Sequence, residues 1–176
     1  MSSFPWLHPQ EVVYRKYVLW FIYACIIYSL IGFSWGAIMG GIAELRYFVD
    51  HRMHGDLIVR GHTHINLLGW VEMAIFAAVY YIVPRLVKRP IYSLTLVKVH
   101  FWIHNIGLIG MVVFFVLAGT LGGIESQHAS PEDVEKIVKP LLAYMGIFGT
   151  LVLIANGIWA YNLFQTCKGW EKNYDK

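Results

Sequence analysis

Residues 57–86 read LIVRGHTHINLLGWVEMAIFAAVYYIVPRL, with Arg60, Glu72 and Arg85 as the only formal charges. Such a run exceeds the roughly 20 residues of helix that cross a hydrocarbon core. Strands of a membrane barrel alternate over about ten residues, and this run is too long and too continuous for that. The segment is therefore a helix through a bilayer. Outward from it, three more apolar runs stand at about 17–42, 92–121 and 141–164. The chain of 176 residues is 57% hydrophobic and 14% charged, against about 25% charged in soluble domains. Its mean hydropathy is +0.53. These features predict an all-α, polytopic membrane protein. The expected architecture is one domain over residues 1–176, a four-helix up-down bundle spanning the cell inner (plasma) membrane.

The first run is too long for a cleaved leader and lacks a small-x-small site. Cys25 and Cys167 lie in no Cys-x-x-Cys or haem-attachment motif, so neither a disulfide nor a covalent c-type haem is expected. Arg15, Lys16, Arg85, Lys88, Arg89, Lys98, Lys168, Lys172 and Lys176 fall on one side of the membrane. On the other side Arg46, Arg52, Arg60, Lys136 and Lys139 are diluted by seven acids. The positive-inside rule then puts both termini in the cytoplasm. The net charge of +3 reflects that rule. Nucleic acid is not an expected partner, because the basic residues form no patch interleaved with aromatics.

Residues 1–10 read as a tail with Trp6 as an interfacial anchor. Residues 44–56 read as a loop carrying His51 and His54. Pro84 and Pro90 bracket a tight basic turn. Residues 125–139 read as an outer loop with a short amphipathic helix. There, Ser130-Pro131-Glu132-Asp133 supplies an N-cap, a proline at the first position and acids in the first turn.

Within the quoted run, Arg60-Gly-His62-Thr-His64-Ile-Asn66 carries the chemistry. Ionisable side chains inside a bilayer are expensive and mark function. At i and i+2 on a helix two side chains diverge by about 200°. His62 and His64 cannot share one small ion, but each can address a different neighbour. That suits haem iron held between helices, since neutral imidazole is a common iron ligand. The plain alternative is that both sit among headgroups.

His100 and His104 are i, i+4 neighbours on the third run, share a face and could bind one metal. With straight helices, His104 is level with about Met73 and roughly 13 Å from His64 along the axis. One protomer then cannot clamp one haem between those two. His51, His54 or a second protomer would supply the partner. His100 reads as a polar residue near the inner interface. Glu72 is level with His104, and the two are expected to face each other or line a polar channel. They are candidates for a proton relay or a quinol contact, with interhelical glue as the plain alternative. Trp20, Trp35, Trp70, Trp102 and Trp159 read as packing or interfacial residues. Gly32, Gly36 and Gly40 form small-x-x-x-small steps that predict a close helix contact.

The string GHTHINLLGWVEMAIFAAVYYIVP resembles the tenth transmembrane helix of subunit I of the haem-copper oxidase superfamily. That helix carries His-x-His near its outer end and closes with an aromatic pair and a proline, here Tyr80, Tyr81 and Pro84. The next string, VKVHFWIHNIGLIGMVVFFVLAG, resembles the eleventh helix through Lys98, His100-Phe101-Trp102, Gly107, Phe114-Phe115 and Gly119. The resemblance covers about a third of the chain well. It implies that His62 matches the high-spin haem ligand and His64 the low-spin haem ligand, whose other axial histidine comes from the family's second helix. The family's subunit has twelve helices in three pseudo-equivalent groups of four, and this chain looks like one group. A homo-oligomer is implied, a trimer before a dimer; a head-to-tail ring would let each protomer present His62 and His64 to different neighbours. The family's copper-binding histidines have no counterpart, and His104 replaces a usually apolar residue. Copper is therefore not favoured, nor is oxygen reduction at a standard binuclear centre.

The expected function is a membrane cytochrome with non-covalent haem b, moving electrons to or from a quinol or a redox protein. Its ligands are expected to be His64 first, then His62, then His104, with His51, His54 and His100 as weaker candidates. The chain would be an oxidoreductase component. The alternatives are haem-based binding of NO or O2, as sensor or reductase, and haem handling or assembly.

Overall fold

A computed structural model describes residues 9–168. The tail through residue 8, including Trp6, lies outside the described residues, as do Lys172 and Lys176. Helix α1 (Pro9–Gly41) is followed by α2 (Ala43–His51) and α3 (Asp56–His64). A π-helical segment (Ile65–Val71) joins α3 to α4 (Glu72–Leu86), and these three pieces make up span two. Helices α5 (Leu94–Glu125) and α6 (Pro131–Cys167) complete the chain. Four helical stretches are long and apolar enough to cross a membrane: Tyr14–Gly41, Asp56–Leu86, Leu94–Glu125 and Pro131–Cys167. The all-α four-span architecture expected from the sequence is the observed one.

Two segments differ from the sequence expectation. Residues 44–56 are mostly helix. Leu45, Phe48 and Val49 repeat at i, i+3, i+4 and give α2 one apolar side, and Val49 is buried. Phe48 lies so close over Gly123 of α5 that any side chain there would meet its ring. The remaining turn holds His54 in the left-handed region, at φ 64°. Second, the short outer helix expected within 125–139 is not separate from span four. Ser130 caps it, accepting from Asp133 N at 3.3 Å, and α6 then runs unbroken through Pro140 to Cys167. Pro140 removes one N–H near the polar end of the helix, where water can meet the freed carbonyl.

Span two and α5 form the centre, with α1 packed on the former and α6 along the latter. Gly107 permits the α5–α6 contact: a Cβ there would lie 2.9 Å from both Phe148 O and Val152 N. At the end of the bundle near the 87–93 turn, the two helices are also tied by bonds between side chains and backbone. Asn162 Oδ1 accepts from Ser93 N and its Nδ2 donates to Ser93 O, both at 3.0 Å. Thr166 Oγ1 accepts from Tyr92 N at 3.0 Å, and Arg89 donates to Lys168 O. Phe21, Met73, Phe76, Tyr80, Val97 and Leu108 fill the core. Large apolar side chains such as Ile27, Leu30, Ile147 and Leu153 cover the outside of α1 and α6, as lipid requires.

Candidate functional site

His62 and His64 leave span two on different sides, as their spacing dictates. Asn66 Nδ2 donates to His62 O at 2.9 Å and lies 3.2 Å from His62 Nδ1. A donor at Nδ1 makes that nitrogen the acceptor and puts the ring proton on Nε2. The Nε2 edge of His62 faces α1, where a Cβ on Gly36 would stand 2.9 Å from Cε1 and 3.3 Å from Nε2. Trp35 flanks the same ring at 6.0 Å. Gly32 likewise gives room to Asn66, while Gly40 faces nothing within 4 Å. The close contact expected of the glycine steps is thus made within the chain, by two of the three.

His64 differs. Its Nδ1 lies 2.8 Å from Arg60 O. A carbonyl only accepts, so Nδ1 carries the proton and Nε2 keeps a bare lone pair. That is the tautomer a metal-ligating imidazole adopts. The ring is half-buried, 4.9 Å from Phe115 of α5, and Nε2 makes no hydrogen bond among the described residues.

Four other candidate histidines, His51, His54, His100 and His104, have partners. His51 is exposed, bonds Tyr47 O through Nδ1 at 3.1 Å and stacks on the Tyr47 ring. His54 Nε2 pairs with Glu135 of α6 at 2.9 Å. His100, expected near an interface, is instead wholly enclosed. Its Nδ1 is hydrogen-bonded with Tyr80 Oη at 3.1 Å, and Phe21 and Phe76 pack against the ring. The reason is its i, i+4 relation to His104, which turns both rings toward span two. His104 is also enclosed, with Nε2 donating to Leu68 O at 3.1 Å.

Straight-helix geometry places His104 level with Met73, but its partners are Leu68 and Glu72. The π segment causes the offset. Its wider turn changes the phase of span two and leaves Leu68 O available to a side chain. Glu72 Oε2 stands 3.7 Å from His104 Nε2, and Asn156 of α6 neighbours the same carboxylate. Tyr28 of α1 donates to Asn105 of α5 at 2.6 Å. Sequence reasoning missed Tyr28, Asn105, Asn156 and Asn162. The three asparagines inside apolar runs are the signal that finds them, because polar side chains in a membrane seek interhelical partners. Cys25 and Cys167 are free thiols. No three His, Cys, Asp or Glu side chains converge among the described residues, so the geometry offers single axial imidazoles rather than a metal cage.

With this geometry in view, comparison with known proteins is direct. The family model described as Cytochrome C and Quinol oxidase polypeptide I matches residues 6–151. Cytochrome c oxidase subunit 1 of Rhodobacter capsulatus is 32% identical over 115 residues, covering 60% of this chain and 22% of that protein. A cytochrome c oxidase subunit 1 homolog of Azorhizobium caulinodans is 33% identical over 116 residues, 60% of this chain and 21% of the relative. Heme-copper oxidase subunit I+III of Aeropyrum pernix is 27% identical over 167 residues, 94% of this chain and 19% of the relative. The chain spans about a fifth of the length of the curated relatives it matches. It is a multi-pass protein of the inner membrane. The matched span takes in every helix that carries the histidines and Glu72, and the chain belongs to the subunit I family of the haem-copper oxidases.

Proposed function

We propose that the chain is a haem b-binding cytochrome that transfers electrons within the membrane, with His64 as its principal iron ligand. The observation that carries this reading is the His64 tautomer. Nδ1 is tied to Arg60 O at 2.8 Å, which leaves Nε2 deprotonated on a half-buried ring beside an aromatic face. An imidazole so held fits an axial position. Bound iron porphyrin would supply a one-electron couple. The residues of the chain orient the ring, through Arg60 O and Phe115. His62 ranks second, since its Nε2 carries the proton and abuts α1. His104 is left out of the ligand set, because its ring is enclosed and its Nε2 serves Leu68 O.

The open edge of His64 lies at the surface of the four-helix unit, which supports a haem shared between units. We propose a homo-oligomer, a trimer before a dimer, with a quinol or a redox protein as electron partner. Both termini lie in the cytoplasm in this reading, supported by the gathering of Arg85, Lys88, Arg89 and Lys168 at one end. A second reading rests on the same lone imidazole: a haem held by His64 alone has an open position for NO or O2.

The test is an optical spectrum of the purified protein loaded with haem. Sharp α and β bands on reduction, unchanged by CO, support the electron carrier. A large CO shift selects the gas-binding reading. A folded protein that takes up no haem overturns both.

A further inference from the structure

A cleft of about 560 Å³ opens at the end of the bundle opposite the 87–93 turn. Ala43, Glu44, Tyr47, Phe48 and Arg52 line it from the α2 segment, and Gln127 lines it from just past the end of α5. The docking of α2 makes this space. The chain turns at Ile42, whose backbone is extended (φ −101°, ψ 112°). Phe48 then closes over Gly123 and Val49 is buried, while Glu44, Arg46, Tyr47 and Asp50 stay exposed. A helix with one docked apolar side and an exposed tyrosine, lying where the spans end, sits at headgroup depth.

Two opposite charges line the cleft without meeting. Neither Glu44 nor Arg52 makes a side-chain hydrogen bond or an ion pair among the described residues. Elsewhere at this end Arg60 is paired with Asp56, and Lys136 with Glu132 and Asp133. Arg52 is nonetheless held in place. Its guanidinium stands 5.8 Å from the centre of the Tyr47 ring. That ring stacks on His51 at 4.4 Å, and His51 is tied to Tyr47 O. Half-buried and backed by an aromatic ring, the guanidinium keeps its N–H fork for an acceptor from outside the chain. Such a fork suits a phosphate. Glu44 can only accept when ionised, which suits an ammonium. Apolar side chains continue from the cleft toward mid-membrane. Ile38 and Ile42 lie on the α1 side, Leu121 and Ile124 on the α5 side, and all four are 40–52% exposed.

We propose that this cleft binds one phospholipid of the primary-amine, zwitterionic class. Its phosphate lies on Arg52 and its ammonium on Glu44, and its acyl chains follow Ile38–Ile42 and Leu121–Ile124. The charge pair alone would also fit a soluble phosphoamine; the apolar rows beside it single out the lipid. No bond is made or broken, and the site does not depend on haem.

Native mass spectrometry of the delipidated protein in detergent tests this. The probes are phosphatidylethanolamine, phosphatidylcholine and phosphatidylglycerol with matched chains. Wild type should hold one phosphatidylethanolamine in preference to phosphatidylcholine, whose headgroup has no N–H to give Glu44. Arg52→Gln should weaken all three lipids about tenfold, the scale of one lost charge-assisted contact. Glu44→Gln should erase the preference for ethanolamine over choline and leave phosphatidylglycerol bound at least as tightly. Arg46→Gln, exposed on the same helix and outside the cleft, should bind like wild type. Glycerophosphoethanolamine, the headgroup without chains, should not displace the lipid at equal concentration. Neither Arg52 nor Glu44 packs in the core, so both variants should melt like wild type. Equal lipid affinity in wild type and Arg52→Gln overturns the proposal. So does an equal loss in Arg46→Gln, an ethanolamine preference that survives Glu44→Gln, or displacement by the chainless headgroup, which would give the cleft to a soluble phosphoamine.

Discussion

His62 and His64 stand two residues apart near one end of span two; His100 and His104 stand four apart, deep in α5. The first pair diverges, stays half-buried and leaves one imidazole nitrogen bare at the surface of the unit. The second pair shares a face, is 0% exposed and is sealed by Phe21, Phe76 and Tyr80. Both pairs are expensive residues in lipid, yet they solve different problems. A ligand needs a deprotonated nitrogen that reaches open space. A polar core needs each ring bonded inward. The comparison teaches that histidine in a span is not itself a ligand signal. Spacing sets whom the rings meet, and the partner of the second nitrogen sets what they can do.

The sharpest way to break the contrast is to remove one member of each pair and measure bound haem per protein after gel filtration. His64→Ala should lower haem retention about tenfold or more, the scale of losing an axial ligand or its support. His104→Ala should leave haem retention largely intact. Equal losses in the two variants would collapse the distinction and move the site into the α5 core.

Thermal melting in detergent should rank the pairs the other way. His104→Ala opens a cavity beneath Phe76 and strips Glu72 and Leu68 O of their neighbour, so it should destabilise by about 2–4 kcal/mol. His64→Ala in the haem-free protein should cost less, because its ring is half-exposed and bonded only within its own helix. A His104→Ala protein that melts like wild type would mean that the enclosed pair bears no packing.

The next effect concerns the end of the bundle that the histidines do not touch. Asn162→Ala leaves the Ser93 N–H without a partner in a half-buried turn, while Ser93 O keeps its bond from Val97 N. One unmet group costs about 1–3 kcal/mol, and water should recover part of that, for a net loss of about 1 kcal/mol. The variant should keep its haem. Loss of haem with little loss of stability would show that the 87–93 turn positions the distant His64.

The span count was legible because four apolar runs of bilayer length admit few other readings. The divergence of His62 and His64 followed from helical geometry, and the nearness of Glu72 to His104 from counting residues across a tight turn. The π segment was not legible. Ile65–Val71 has the composition of ordinary span, and nothing in its residue types marks the wider turn. The enclosure of His100 was hidden for a similar reason. Its depth was read from position along α5, whereas burial depends on which side Phe21 and Phe76 approach. Helix α2 was hidden behind its charges: Glu44, Arg46 and Asp50 suggested a loop, while Leu45, Phe48 and Val49 were enough to dock it.

His54 offers the smallest test and the most direct check on where an axial partner comes from. The sequence made the segment around His51 and His54 a source of such a ligand. In the folded chain His54 Nε2 is 2.9 Å from Glu135, with side-chain exposures of 19% and 33%. The pair ties the turn before α3 to α6. Partly exposed pairs of this kind contribute roughly 0–1 kcal/mol, so Glu135→Gln should shift stability by no more than that and leave the haem spectrum unchanged. His54→Ala should behave alike, since the ring sheds one partner and borders Gly122 without filling a deep cavity. If His54→Ala instead converts a six-coordinate spectrum to one that binds CO, this ring is the sixth ligand. The turn must then swing away from Glu135 when haem enters, and the His64 site would be completed within one chain rather than between copies.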